Sequence, residues 1–195
     1  MISALYPRFA VNPPRNRPRL APDRGTGVDA DHFRSAMGAL PTGVAVATVL
    51  HRGEPAGMTV GTFTSISLRP PLAGFFADRG SGTLPKIVEA GAFAVNLLDA
   101  EGDALCRAFG RPGDRRFDGV PWTPSELGSP LLDAAALWVD CRLDEVVAVG
   151  DHFLVVGRAE HLDTNPAAGN PLVFHRGTYT TTDTTTRHPG TGSAR

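Results

Sequence analysis

Apolar and polar residues alternate with a period of two over several short segments of this chain, a pattern typical of β-strands. The segment that raises the sharpest question covers residues 57–71, with the sequence GMTVGTFTSISLRPP. One face of this predicted strand carries side chains that can pack, namely Val60, Thr62, Thr64, Ile66 and Leu68. The opposite face is mostly small and polar, with Thr59, Gly61, Phe63, Ser65 and Ser67.

Two kinds of neighbour fit this small polar face equally well. A flat polar heterocycle could lie against it and hydrogen-bond along its edge, with Gly61 allowing close approach to the backbone. A helix or a second subunit could instead pack closely against the same short side chains. The alternation alone does not decide between a ligand and a packing partner.

Apolar residues at helical spacing predict three short helices. The first covers DADHFRSAMGALPTG, where the positions i, i+3, i+4 and i+7 are Phe33, Ala36, Met37 and Leu40. The second covers GSGTLPKIVEAG, with Pro85 in its first turn and Gly91 after its end. The third covers DAEGDALCRAFG, and Asp99 is its predicted cap.

The remaining apolar segments predict a mainly β protein with about seven strands. Besides residues 57–71, the strands are VAVATVL, LAGFFA, AFAVNLL, ALWVDCRLDEVVA, HFLVVGRAEHL and PLVFHRGTY. HRGEPAG is a predicted turn, RPGDRRFDGVPWTPSELGSP a predicted irregular loop, and residues 149–151 a predicted hairpin between the two long strands. Because strands do not alternate with long helices, a meandering antiparallel β-barrel with helices at its edges is expected, not a doubly wound parallel sheet.

Composition divides the 195 residues into one predicted domain and two tails. Residues 1–28 are rich in Pro and Arg, with five arginines against one aspartate. This pattern favours a disordered arm, and the alternative is an arm that binds a partner. Residues 181–195 are low in complexity and predict a disordered tail, so residues 29–180 are the expected folded unit.

Charge and cysteine content limit the classes of function. The net charge of −1 gives no bias toward nucleic acid or an anionic membrane. No apolar run approaches the roughly 18 residues of a membrane helix, and no secretion signal is recognisable. Cys106 and Cys141 have no metal or redox spacing, which fits a reducing cytoplasm. The six scattered histidines predict no metal site.

Two short segments have residues suited to binding chemistry. The first, DRGSGT at 78–83, places Arg79, Ser81 and Thr83 just before a predicted helix, as in a phosphate site; ordinary helix capping is the alternative. The second, GDHF at 150–153, places His152 beside Asp151 at a hairpin, where it could orient a substrate or donate a proton. A solvated turn is the alternative there. Together with residues 57–71, these segments indicate a flat cofactor bearing a phosphate at one edge of the barrel.

Several segments, in order, resemble the flavin reductase-like, FMN-binding split-barrel family, which includes the reductase components of two-component flavin-dependent monooxygenases. They are FRSAMGALPTGVAVAT, GMTVGTFTSISLRPPL, AFAVNLL, Arg116-Phe117, SPLLDAAALWVDC, VGDHFLVVGRA and PLVFHRGTY, within residues 32–179. The resemblance implies a homodimer of split barrels with FMN or FAD at the interface. It also implies NADH or NADPH as hydride donor and a separate monooxygenase that receives reduced flavin.

The resemblance also implies roles for individual residues. The isoalloxazine edge would meet Thr59, Val60, Gly61 and Thr62, and the ring and ribityl chain would meet Ser65, Ile66 and Ser67. The phosphate would be held by Asp78, Arg79, Ser81 and Thr83, with Phe117 near the flavin. The nicotinamide would be bordered by the catalytic candidate His152 and by Pro41, Thr42 and Gly43, with Arg176 and Tyr179 close by.

Gly82, the pair Gly61-Thr62 and the Pro/Arg-rich N-terminal arm depart from the family pattern. Many relatives carry an arginine where this chain has Gly82, and Arg79, Arg115 or Arg116 could supply the missing charge. Two alternative functions therefore stay open. One is a flavin carrier or redox sensor without steady-state NAD(P)H oxidation, and the other is a split barrel that binds a partner through its basic arm without a cofactor.

Overall fold

The computed structural model describes residues 27–111, 113 and 115–182. Three helices occur in these ranges: α1 (Ala30–Met37), α2 (Leu84–Ala90) and α3 (Asp103–Gly110). The first six strands are β1 (Thr42–Gly43), β2 (Ala45–His51), β3 (Glu54–Val60), β4 (Thr64–Leu68), β5 (Pro71–Asp78) and β6 (Ala92–Leu98). The other six are β7 (Trp122–Pro124), β8 (Pro130–Leu132), β9 (Ala135–Val149), β10 (His152–Thr164), β11 (Leu172–His175) and β12 (Thr178–Thr181).

The predictions for the two chain ends concern residues that the structure leaves almost undescribed. Of the predicted arm, only residues 27 and 28 are described, and of the predicted tail only residues 181 and 182. The disorder expected for the rest lies outside the described residues.

Most strands belong to one antiparallel sheet of seven strands, in the order β3-β2-β6-β9-β10-β5-β4. Its two edge strands, β3 and β4, follow each other in the chain and are joined by residues 61–63. In this linker, the Thr62 hydroxyl accepts a hydrogen bond of 2.9 Å from the backbone N–H of Phe76 in β5. Two smaller sheets, β1-β11-β12 and β7-β8, complete the fold. The prediction of a mainly β protein with three short helices is confirmed.

Apolar side chains form one cluster on each face of the large sheet. Alternation along β2 places Ala45, Ala47 and Val49 in the larger cluster, which α2 covers. Val46 of β2, and Val44 just before it, belong to the smaller cluster, which α3 covers. In the larger cluster, Phe75 and Phe93 meet edge to face with ring centroids 5.6 Å apart. Burial of these side chains is the main stabilising contribution to the fold.

The segment 57–71, expected as one strand, is two strands separated by a break, so this prediction was wrong. The alternation restarts after residues 61–63 and shifts again at a bulge between Ser65 and Ser67 in the β4–β5 pairing. Of the face expected to pack, Val60 is buried, whereas Ile66 is 45% exposed and Leu68 87% exposed. A local period cannot show such a break, because the bond from Phe76 to Thr62 comes from a distant residue.

Three other predicted boundaries also differ from the structure. Helix α3 begins at Asp103, not after Asp99, because Asp99 pairs with Pro171 and its carboxylate accepts a hydrogen bond from the Glu101 N–H. The loop 111–130 contains β7 and reaches β8. The predicted last strand is the hairpin β11–β12, which turns at Arg176 and Gly177 with φ of 49° and 78°.

The turn predicted over residues 51–57 is shorter in the structure, where it is formed by Arg52 and Gly53. Arg52 and Gly53 take positive φ values of 54° and 85°, and β3 already begins at Glu54. This tight turn lets β2 and β3 pair over their whole length, with His51 opposite Glu54.

Helix α1 is present as predicted, but its apolar side chains are exposed. The Asp29 carboxylate caps the helix by accepting a hydrogen bond of 2.7 Å from the His32 N–H. Phe33 is 58% exposed, Met37 48% and Leu40 56%. Apolar residues that lack cover in a single chain are typical of a surface that meets a partner.

Candidate functional site

A cavity of about 740 Å³ lies where β3, the loop before α2 and the end of α3 meet. It brings together four residues that the sequence analysis singled out: Thr59, Ser81, Thr83 and Phe117. Its size lies within the range of pockets that bind cofactors. The other predicted site residues do not line this cavity.

The loop before α2 is shaped by hydrogen bonds to its own backbone. The Asp78 carboxylate accepts a bond of 2.6 Å from the Gly80 N–H, and the Asp78 carbonyl accepts one from the Ser81 N–H. The Ser81 hydroxyl accepts bonds of 3.3 Å from the N–H groups of Thr83 and Leu84 at the start of α2. These bonds hold the start of α2 against the cavity.

The two hydroxyls predicted for phosphate binding have different surroundings. Thr83 is 4% exposed and donates to the Gly57 carbonyl at 3.2 Å, so its hydroxyl ties α2 to β3. Ser81 donates only to the Met58 sulfur, at 3.1 Å. Because a thioether is a weak acceptor, an anion in the cavity would readily draw the Ser81 proton away from it.

Two cationic side chains line the same cavity. Arg116 donates to the Arg111 carbonyl at 2.7 Å and to the Gly57 carbonyl, which fixes its guanidinium group in place. Lys86 lines the cavity from the first turn of α2. Glu54 is the one carboxylate among the described lining residues, so the cavity carries a net positive charge that suits a phosphate.

Sequence reasoning missed Lys86 as a site residue. It stands three residues after Thr83, and residues three apart on a helix share one face, so this spacing was a usable signal. Arg116 was considered only as a replacement for a missing charge. Its position depends on carbonyls at 57 and 111, which a local motif does not show.

Aromatic rings form one wall of the cavity. Phe117 meets Phe109 edge to face with centroids 4.9 Å apart, and it meets Trp122 at 6.3 Å. A Cβ atom at Gly57 would lie only 2.7 Å from Phe109 Cε1. The glycine at 57 is therefore needed for Phe109 to reach its place beside the cavity.

His152 lies at the start of β10, where it stands opposite Asp78 of β5. Its Nδ1 atom is 2.7 Å from the Asp151 carboxylate, and this hydrogen bond lowers the pKa of Asp151. The Arg79 N–H donates to the Asp151 carbonyl at 3.3 Å, and the Arg79 guanidinium lies 5.4 Å from the centre of the Phe153 ring. The structure thus brings His152, Asp78 and Arg79 together at the loop that leads to α2.

Apart from Thr59, the residues predicted to meet the flat ring do not line the cavity. Val60 is 5% exposed and belongs to the larger core cluster, which leaves only its backbone for a ligand. The other five lie in the linker or on the exposed edge strand β4: Gly61, Thr62, Ser65, Ile66 and Ser67. A Cβ atom at Gly74 would lie 2.8 Å from Ile66 Cδ1, so Ile66 bends back over β5.

The residues predicted near the nicotinamide lie in or beside the sheet β1-β11-β12. Thr42 pairs with Phe174, and the Arg176 N–H donates to the Gly38 carbonyl at 2.8 Å. A Cβ atom at Gly61 would lie 3.2 Å from the Thr42 hydroxyl, so this sheet adjoins the linker. The structure brings together, in this part of the fold, Pro41, Thr42, Gly43 and Arg176.

Tyr179 is linked to the cavity through α3. The Cys106 thiol donates to the Tyr179 hydroxyl at 3.1 Å, and this bond, with partial burial, raises the pKa of Tyr179 to about 12. The Arg107 guanidinium lies 5.2 Å from the centre of the Tyr179 ring. The Thr59 hydroxyl in turn donates to the Cys106 carbonyl at 2.8 Å. Tyr179 therefore supports the position of Thr59 and does not itself line the cavity.

Comparison with known proteins identifies the family. The model of the flavin reductase-like domain matches residues 37–183. The chain belongs to this family. It is 38% identical over 155 residues to a flavin reductase of Pseudomonas putida. The aligned region covers 79% of this chain and 91% of that protein.

Two further relatives support the family assignment. The NADH-dependent FMN reductase AsuE2 of Streptomyces nodosus subsp. asukaensis is 42% identical over 166 residues, covering 82% of this chain and 88% of that protein. A nitrilotriacetate monooxygenase component B homolog of Mycobacterium thermoresistibile superposes with a TM-score of 0.82 at 34% identity, covering 86% of this chain and 94% of that one. The structural neighbours are of the split-barrel fold, which confirms the predicted fold class.

The described ranges contain neither a membrane-spanning helix nor a group of metal ligands. None of the helices there is long and apolar enough to cross a membrane. In the same part of the chain, no three His, Cys, Asp or Glu side chains are grouped so that they could hold a metal ion.

Proposed function

We propose that the protein is an NAD(P)H-dependent flavin reductase that transfers hydride from NADH or NADPH to FMN or FAD and supplies reduced flavin to a separate monooxygenase. One observation carries this proposal: a positively charged cavity with an aromatic wall lies in a chain of the flavin reductase-like family. The flavin supplies the hydride-accepting ring when it is bound. Relatives named NADH-dependent FMN reductase and monooxygenase reductase subunit support the same reaction.

The residues of the cavity fit the phosphate end of a flavin nucleotide. Lys86 and Arg116 supply charge, and the Ser81 hydroxyl, weakly engaged with Met58, supplies a donor. Thr83 would act indirectly, because its hydroxyl donates to the Gly57 carbonyl and so holds α2 against β3. Charge-assisted bonds of this kind are roughly twice as strong as neutral ones, so they are expected to dominate flavin nucleotide affinity.

The polar edge of the ring would meet Thr59, Gly61 and Thr62 beside the cavity, and the ring and ribityl chain would meet Ser65, Ile66 and Ser67 of β4. Support comes from the small polar side chains of Thr59, Thr62, Ser65 and Ser67. The edge strand β4 also presents backbone groups that have no further strand beside them in the described part of the sheet.

His152 would border the nicotinamide together with Pro41, Thr42 and Gly43, with Arg176 nearby. The Asp151 carboxylate holds the Nδ1 side of the imidazole, which leaves the Nε2 side available to a substrate. The Arg79 N–H holds the Asp151 backbone next to His152 by donating to the Asp151 carbonyl at 3.3 Å. His152 would thus position the nicotinamide for transfer.

The active form would be a homodimer with flavin at the interface, working in the cytoplasm. Exposed apolar residues support a partner surface, on α1 and on the β4–β5 edge: Phe33, Met37, Leu40, Ile66, Leu68 and Phe76. Cys106 and Cys141 are buried free thiols, which agrees with a reducing compartment.

Anaerobic mixing of NADH with the protein and FMN tests the reaction directly. We expect the visible absorbance of oxidised flavin to disappear in a single exponential phase whose rate saturates with NADH. The variant Lys86→Gln should need about tenfold more FMN but should behave like the wild type with riboflavin, which lacks the phosphate. Flavin that binds but keeps its absorbance would contradict the reductase and favour the carrier or sensor.

A further inference from the structure

A second cavity, of about 410 Å³, lies between the β7–β8 ribbon and strands β9 and β10. It shares no lining residue with the first cavity. Carboxylates line it from several directions: Glu126, Asp133, Asp140 and Asp163. None of these four forms an ion pair with another described residue, and neither Lys nor Arg is among the lining residues that the structure describes.

Asp140 distinguishes this cavity from an ordinary acidic surface. It is 3% exposed, and its Oδ2 atom accepts a hydrogen bond of 3.0 Å from the Leu127 N–H. Its Oδ1 atom is buried and has no hydrogen-bond partner within the described part of the chain. A buried carboxylate oxygen without a donor is costly, so a donor that reaches it from the cavity would be bound favourably.

The walls of the cavity indicate what kind of donor it accepts. Leu131, Trp138 and Leu162 contribute apolar surface, and Leu162 is 68% exposed. The Trp138 indole N–H already donates to the Leu132 carbonyl at 2.8 Å, so the ring offers its apolar surface to a ligand. The carboxylates are not grouped as metal ligands, because no such group occurs in the described residues. Carboxylates beside an aromatic ring suit an organic cation.

We propose that this second cavity binds an organic cation, through a guanidinium, amidinium or ammonium group that donates to Asp140 and an apolar body that contacts Trp138 and Leu162. The cation is either a free small molecule or an arginine side chain from residues 1–26 of the same chain, which contain Arg8, Arg15, Arg17, Arg19 and Arg24. The proposal is independent of the flavin site, because the two cavities have no lining residue in common.

Calorimetric titration of the full-length protein with benzamidine tests the proposal, with benzamide as the neutral control of the same shape. We expect benzamidine to bind once per chain and benzamide at least about tenfold more weakly, since only the amidinium is charged. The variant Asp140→Asn should lose about tenfold or more in benzamidine affinity while keeping an acceptor for the Leu127 N–H. The proposal would be overturned if benzamidine and benzamide bound equally tightly, or if the wild type and Asp140→Asn bound benzamidine equally tightly.

A second pair of variants keeps the test decisive if Asp140→Asn does not fold. Glu126→Gln and Asp163→Asn change exposed side chains of the same cavity, and each should weaken benzamidine binding by about two- to threefold. Exposed Asp118→Asn, which does not line the cavity, is the control and should bind as the wild type does. No change in either cavity variant would overturn the proposal.

The source of the cation is resolved by a full-length variant in which all five arginines of residues 1–26 are replaced by glutamine. Tighter benzamidine binding by this variant supports the proposal with an arginine as the natural occupant. Unchanged binding supports it with a free cation. Loss of binding would overturn it, because the removal of positive charge from the chain cannot weaken the binding of a cation to carboxylates.

Discussion

Gly82 has open space around it at the start of α2, with no heavy atom within 4 Å of the position that a Cβ would take. The resemblance to the family places an arginine at this position in many relatives. In this chain the neighbouring charges come from Lys86 and Arg116. Gly82 is therefore a position where the proposed phosphate site can be strengthened without disturbing the fold.

The substitution Gly82→Arg is expected to raise FMN affinity by about tenfold and to leave riboflavin affinity unchanged, because the added guanidinium can reach only the phosphate. Flavin fluorescence titration measures both constants, and Gly82→Gln is the uncharged control. An equal gain for riboflavin would place the phosphate somewhere else.

His152 is the residue whose proposed role is separable from flavin binding. The variant His152→Ala is expected to slow flavin reduction by NADH by about tenfold or more, since correct placement of the donor is lost. The flavin dissociation constant should change by less than about twofold, because His152 does not line the cavity. Rapid-mixing absorbance gives the rate. The variant Asp151→Asn, which keeps the imidazole but changes its hydrogen-bond partner, should slow reduction less than His152→Ala does. A wild-type rate in His152→Ala would remove His152 from the reaction.

At the scale of residues, the sequence identified side chains with suitable chemistry but not what each of them contacts. Ser81 and Thr83 have the same chemistry in the sequence, yet one faces a weak acceptor and the other holds two elements together. The difference comes from Met58 and Gly57, which lie more than twenty residues away in the chain. Short motifs contain no information about such partners.

At the scale of elements, buried Asn96 in β6 connects the large sheet to the β7–β8 ribbon. It is 0% exposed, donates to the Val46 carbonyl at 3.1 Å and accepts from the Leu132 N–H at 2.7 Å. Thr48 supports the same junction by donating to the Pro130 carbonyl. A polar network in a dry interior fixes where the ribbon docks.

The variant Asn96→Leu should therefore lower the free energy of unfolding by about 3 kcal/mol, because it leaves buried partners without their bonds. Urea unfolding followed by tryptophan fluorescence measures the change. Asn165→Leu is the matched control at a half-buried loop position and should cost less than about 1 kcal/mol. Similar costs for both variants would mean that the Asn96 network does not hold the ribbon.

Element prediction succeeded where one local pattern decides the structure, as in α1, which the spacing of its apolar residues predicts. It failed where a distant group competes, as in residues 61–63, where the N–H of Phe76 binds Thr62 and ends the strand. It also failed at β7 and β8, whose short strands have no period long enough to detect. These are the places where tertiary contacts override local preference.

At the scale of the whole molecule, the edge strand β4 presents Ile66 and Leu68 to solvent. An apolar edge strand is a surface that pairs with another chain. Light scattering after size exclusion should therefore give the mass of two chains, and Leu68→Asp should shift it toward one. Leu162→Asp changes an exposed apolar residue of β10, 68% exposed against 87% for Leu68, and as the control should remain dimeric. A monomeric wild type would contradict the proposed dimer.

The overall architecture and the family followed from ordered segments along the chain, because each segment keeps its local pattern. The second cavity could not be predicted from the sequence, because its walls come from separate segments around 123–126, 131–140 and 161–163. No single stretch among these has a recognisable motif. Only the folded chain brings Trp138 and Asp140 of β9 together with Glu126 and Asp163.

The measurement that tests the central claim most directly is the oxidation of NADH and of NADPH by purified protein, followed by their absorbance, with FMN, with FAD and without flavin. The account predicts steady consumption that depends on added flavin, saturates with it and falls sharply in His152→Ala. A protein that binds flavin but consumes neither nucleotide with either flavin would contradict the account.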